Sequence, residues 1–82
     1  MNNNLFVKEV YFIKMLCFKD TKNIYIYYKN HLLAEVSLIL ENSYEIYNTP
    51  KDVSESQIKI LKTLVDIFSN TPIDQRNLAS KF

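Results

Sequence analysis

The sequence predicts an α+β domain: a three- or four-stranded antiparallel meander packed against one main amphipathic helix near the C-terminus, followed by a short terminal helix. Three observations carry this. Val, Ile, Tyr and Phe crowd the first 47 positions in short runs separated by polar gaps. The pattern breaks at Asn48-Thr49-Pro50-Lys51-Asp52, where Pro50 lacks a ladder donor. Beyond the break one long segment carries a helical period behind a complete start signal.

Eighty-two residues with a formal charge of +1 fit a single domain over 1–82. Hydrophobic residues make up 48% and charged residues 23%, enough to fold a core and too little net charge for a basic nucleic-acid arm. Asn2-Asn3-Asn4 reads as a flexible tail before a sheet over 5–47. From Leu5 to Phe18, the polar residues Lys8, Glu9 and Lys14 fall on different sides of a helical wheel, so the segment reads as a strand, long enough to need a bend or bulge. Both of its faces are largely apolar, more than a one-sided sheet requires.

Lys19-Asp20-Thr21-Lys22-Asn23 is a hairpin gap in which Asn23 is suited to the left-handed position. Ile24 to Tyr28 is a second strand, and Lys29-Asn30-His31 a second turn with Asn30 as the left-handed candidate. Leu32 to Leu40 alternates as a strand does, although Leu32, Leu33, Val36, Ile39 and Leu40 also fit a helical face. Its short loops to strand-like neighbours favour the strand. After the turn Glu41-Asn42-Ser43, Tyr44 to Tyr47 makes a short fourth strand.

The main helix is expected over 54–69. Ser54 and Gln57 form a capping box, and Val53 and Ile58 occupy the two staple positions. Ile58, Leu61, Leu64, Val65 and Phe68 make the apolar stripe, with Ile60 and Ile67 widening it and Lys59, Lys62 and Asp66 opposite. Thr71-Pro72-Ile73-Asp74 starts a short helix over 71–81, with Thr71 at the cap and Pro72 at the first helical position. Ile73, Leu78, Ala79 and Phe82 are its candidate anchors.

Composition also removes functions. Gly is absent where a background of about 7% would supply about six. A phosphate-cradling glycine loop, a dinucleotide fingerprint and an EF-hand loop are all excluded with it. One cysteine, Cys17, and one histidine, His31, fall short of a structural zinc site and allow no internal disulfide. No apolar run approaches the roughly 20 residues of a membrane span, and Lys8, Glu9 and Lys14 argue against a signal peptide. A cytoplasmic protein without metal or cofactor is the expectation.

Candidate chemistry is sparse. His31, in a turn, reads as solvated, and Cys17, in an apolar run, as a small core residue with nothing to lower its pKa. The carboxylates show no spacing that converges a catalytic pair. Asp52, Glu55 and Asp74 suit helix starts, and Arg76, the only arginine, suits helix-end electrostatics or a pair with Asp74. No catalytic residue is assigned, and a non-enzymatic role follows.

Two surface readings remain. Tyr25 and Tyr27 beside Lys22 and Lys29 could stack bases and follow phosphates of a single-stranded nucleic acid. Against this, residues 1–31 hold five lysines and two carboxylates while residues 32–58 hold one lysine and five carboxylates, so a basic hairpin adjoins acidic strands. Tyrosine content and charge polarity suit a protein interface better. Tyr11, Ile13, Tyr25, Tyr27 and Tyr47 are the candidate interface residues, for a protein partner or a second copy of the chain. The motive is the two-faced Leu5 to Phe18 strand, which one helix cannot cover.

Leu33-Ala34-Glu35-Val36-Ser37, followed by an amphipathic helix closing on Asn70-Thr71-Pro72-Ile73-Asp74-Gln75-Arg76, resembles small uncharacterised proteins of phages and mobile elements of low-GC Gram-positive bacteria. The likeness covers about half the chain. It implies a small intracellular accessory factor, with inhibition of a host protein by surface binding as a plausible role, and carries over no catalytic residue.

Overall fold

The computed structural model describes residues 1–76. Its elements are α1 (Asn3–Phe12), β1 (Leu16–Lys19), β2 (Asn23–Tyr28), β3 (His31–Ser37), β4 (Tyr44–Ile46), α2 (Glu55–Asn70) and α3 (Ile73–Arg76). The four strands form one antiparallel sheet in the order β1-β2-β3-β4, the expected meander backed by the expected long helix.

The first fourteen residues of the expected sheet are the main correction. Leu5 to Phe18 is not one strand: it is most of α1, a turn and the start of β1. Asn2 caps the helix, its Oδ1 accepting the Leu5 N–H at 2.9 Å, and Asn3, Phe6 and Val10 form a buried stripe at spacings of three and four. The helix closes where the Lys14 N–H donates to Tyr11 O (3.0 Å) and the Met15 N–H to Val10 O (3.3 Å). This is a Schellman closure, and Lys14 takes the left-handed position at φ 68° that glycine usually fills. Residues 1–4 are therefore no loose tail: the Met1 nitrogen also donates to Thr71 Oγ1 at 3.0 Å.

Turn chemistry differs from expectation in the same way. Asn23 lies in β2, and the first hairpin is organised by Asp20, whose Oδ1 accepts the N–H groups of Lys22 and Asn23, each at 2.8 Å. In the second hairpin Lys29, not Asn30, is left-handed at φ 54°, and His31 is the first, exposed residue of β3. Between β3 and β4, Asn42 takes the third such position at φ 58°. The strand reading of 32–40 holds to Ser37. There the Ser37 hydroxyl accepts the N–H groups of Ile39 (3.2 Å) and Leu40 (2.9 Å), turning the chain out of the ladder.

Residue Leu33 is a bulge. Ile26 lies opposite Ala34 but Tyr27 opposite Leu32, which leaves Leu33 without a partner on β2 and lets it turn into the core. Helix α2 starts as anticipated, with Ser54 and Gln57 bonding reciprocally at 2.9 and 3.1 Å and with Val53 and Ile58 against the core. Leu61, Leu64, Val65 and Phe68 are buried, whereas Ile60 and Ile67 remain about half exposed.

The corner after α2 is held by Arg76. Its Nε donates to Thr71 O (2.9 Å), Nη1 to Ser37 O (2.7 Å) and Nη2 to Ser69 O (2.8 Å), while its guanidinium lies 4.7 Å from the centre of the Phe68 ring. All three nitrogens are thus spent on carbonyls at the ends of α2 and β3, and Asp74 is not a partner. Thr71 serves α2 rather than α3, its hydroxyl donating to Ile67 O at 2.8 Å. The Ile73 N–H is capped by Glu41 Oε1 at 3.0 Å. The expected anchors Leu78, Ala79 and Phe82, and residues 77–81 of the expected helix, lie outside the described residues.

One core results. Ile24, Ile26, Ala34 and Val36 from the sheet meet Phe6 and Val10 from α1 and Leu61, Leu64, Val65 and Phe68 from α2 in a single buried cluster. Both long helices therefore cover the same face of the sheet.

Candidate interaction surface

Strand alternation assigns the opposite face. With Ile24 and Ile26 inward, Tyr25 and Tyr27 of β2 point out, and the register carries the same sense to Leu16 and Phe18 of β1. On β3 the outward positions are Leu32, opposite Tyr27, and Glu35, opposite Tyr25. Glu45 follows on β4, directly across from Glu35. Just past β4, Tyr47 joins this face, since its hydroxyl lies 3.2 Å from Glu35 Oε1. Among the described residues no helix covers these side chains.

The surface is apolar where it meets β1 and acidic where it meets β4. Phe18 is 57% exposed, Leu16 47% and Tyr47 37%, and the Phe18 and Tyr27 rings meet edge to face at 5.5 Å. Glu35 and Glu45 are the charged strand residues on this side, and they flank a recess of about 220 Å³ lined also by Asn23, Ser37, Ser43 and Tyr44. Among the described residues no lysine or arginine forms an ion pair with either glutamate; the ion pair at 2.7 Å joins Lys29 to Asp52 elsewhere.

Carboxylates also anchor the tyrosines. Tyr25 donates its phenol proton to Asp20 Oδ2 at 2.9 Å, and Tyr47 donates to Glu35. The Asn23 amide beside the Tyr25 oxygen favours the phenolate, but the Asp20 hydrogen bond and the charges of Asp20 and Glu35 outweigh it, so this phenol titrates above its ordinary range. Partial desolvation, then Glu35, raises Tyr47 as well. Asp20 titrates below its ordinary range because the Lys22 and Asn23 N–H groups and the Tyr25 hydroxyl all donate to it. Both tyrosines are neutral donors at any physiological pH.

Of the interface residues expected from sequence, Tyr25, Tyr27 and Tyr47 come together on this face. Tyr11 and Ile13 do not. Tyr11 is 68% exposed on α1, and Ile13 is the C-cap of that helix, packed against the core. The two-faced apolar strand that motivated a contact surface does not exist; the uncovered face rests instead on Leu16, Phe18, Tyr25, Tyr27 and Leu32. Phe18, Leu16 and Leu32 were missed because their orientation depends on where β1 begins and on the bulge at Leu33, which no period in the sequence marks.

The nucleic-acid set separates. Lys22 sits in the loop before β2 and Lys29 in the loop after it, and Lys29 is tied to Asp52 with its Nζ 5.4 Å from the Tyr28 ring centre. Tyr25 and Tyr27 are flanked on their own face by Glu35. Elsewhere, burial pushes the Cys17 thiol up to about 12, as befits a residue packed against the core. Among the described residues no group of three or more His, Cys, Asp or Glu is arranged to hold a metal ion, and no helix is long and apolar enough to cross a membrane. Compared with known proteins, the chain matches no family model, no curated protein and no solved structure.

Proposed function

We propose that the chain is a small non-enzymatic protein-interaction module that docks a partner on the uncovered face of its sheet. The observation that supports this is the contiguous apolar and aromatic strip of Leu16, Phe18, Tyr25, Tyr27 and Leu32 on a side that neither long helix shields. Exposed apolar patches of this kind mark contact sites, and tyrosine and phenylalanine supply large contact area at low entropic cost. An accessory or inhibitory factor, intracellular and of mobile-element type, is the role this reading fits.

Photo-crosslinking tests it. A benzophenone amino acid placed at Tyr27, on the open face, should give a discrete protein adduct in cells that produce the chain. The same group at Lys62, on the exposed side of α2, should not. Adducts destroyed by nuclease would replace the reading with nucleic-acid binding, and an adduct of twice the chain mass would make the partner a second copy. Equal labelling from both positions would end the case for this face.

A further inference from the structure

The open face carries a defect that a free protein gains nothing from. Glu35 and Glu45 are direct cross-strand partners, and like charges placed opposite each other destabilise a sheet. The strand positions on this side supply no cation to either. The recess that both glutamates line lies beside Tyr25 on the open face, and Asn23, Ser37, Ser43 and Tyr44 line the rest of it. Resting on the reading of this face as a docking surface, we infer that its partner is a protein segment that presents an arginine or lysine into the Glu35–Glu45 recess while its apolar side chains cover Phe18 and Tyr27.

Charge complementarity decides between occupants. A second copy stacked face to face would bring two more carboxylates and no cation from the outward strand positions of its open face, since Lys19 of β1 lies opposite the buried Ile24. A nucleic acid would set phosphates against the same pair. A cationic, apolar polypeptide matches both halves: its positive group removes the repulsion that the free sheet carries, and the neighbouring apolar strip supplies burial. The Tyr47 hydroxyl reaches both Glu35 oxygens, Oε1 at 3.2 Å and Oε2 at 3.4 Å, and a carboxylate offers about four lone-pair sites, so acceptor capacity remains for an incoming guanidinium.

The test is a titration of isotope-labelled protein, followed by amide chemical shifts, with three synthetic peptides alternating leucine with arginine, glutamine or glutamate. The arginine peptide should shift amides of β1 to β4, bind at least about tenfold more tightly than the glutamine peptide, and weaken as salt rises. The double variant Glu35→Gln/Glu45→Gln should bind arginine and glutamine peptides alike. It should also melt no lower than the parent, because a repulsive pair has been removed. Equal affinity for all three peptides, lost in Phe18→Ser, would overturn the charge inference while leaving the docking surface standing. Failure of every peptide to shift this face would remove both, whereas a preference for the glutamate peptide on this face would overturn the charge inference alone.

Discussion

Helices α1 and α2 press on the same core from the same side, and Phe6 of one stacks on Phe68 of the other with ring centres 4.4 Å apart. Their sequences nevertheless advertise them very differently. Helix α2 has a capping box, a staple and a clear apolar stripe. Helix α1 buries an equally regular stripe of Asn3, Phe6 and Val10, but Leu5, Tyr11 and Phe12 on its solvent side erase the contrast that periodicity depends on. At its end a lysine stands where glycine would have announced the stop. A helix made by tertiary packing need not look amphipathic, because the pattern records which residues are apolar and not which are covered.

If the two helices are equal partners in the core, truncating either half of their ring stack should cost about the same. Phe68→Ala and Phe6→Ala are each expected to lose about 3–5 kcal/mol in urea unfolding, most of the stability of so small a domain. A loss below about 1 kcal/mol for Phe6→Ala alone would make α1 an accessory to a core built by α2 and the sheet.

The helix ends sharpen the contrast. Helix α2 is closed by a buried arginine, so Arg76→Ala should cost about 3 kcal/mol by taking the guanidinium donor from the buried Ser37 carbonyl and leaving the Ser69 carbonyl with the Asn42 N–H alone. Arg76→Lys should not restore it, since one ammonium cannot span the same three acceptors. Smaller effects belong to the caps. Ser54→Ala and Asn2→Ala should each cost about 1 kcal/mol in thermal melts, and a silent Asn2→Ala would show that α1 starts without its cap. Lys14→Gly should run the other way, stabilising by about 0.5–1 kcal/mol as the side chain leaves its left-handed position. Phe12→Gln, at a side chain 66% exposed, should move stability by less than about 0.5 kcal/mol.

These contrasts also explain what was legible in the sequence. The fold class, the meander, β2, β3 and α2 with its cap could be read because alternation, turn residues and capping chemistry agree there. Residues 1–18 could not, because β-branched and aromatic residues favour strands locally while the packing of Phe6 and Val10 decides for helix. The candidate surface was half legible. Tyr25 and Tyr27 follow from the alternation of β2, and Tyr47 extends the same logic. Leu16 and Phe18 needed the true start of β1, Leu32 needed the bulge at Leu33, and the opposition of Glu35 and Glu45 needed the register of β3 against β4. Register is a long-range property, and no window of residues contains it.

The absence of glycine has an effect beyond its three bends at Lys14, Lys29 and Asn42. Every residue of the denatured chain carries a Cβ, so that ensemble has fewer backbone states to surrender than a glycine-bearing chain of equal length. What the bends cost locally in the native state is thus partly offset by a narrower starting population, which favours folding in a protein too small to rely on a deep interior.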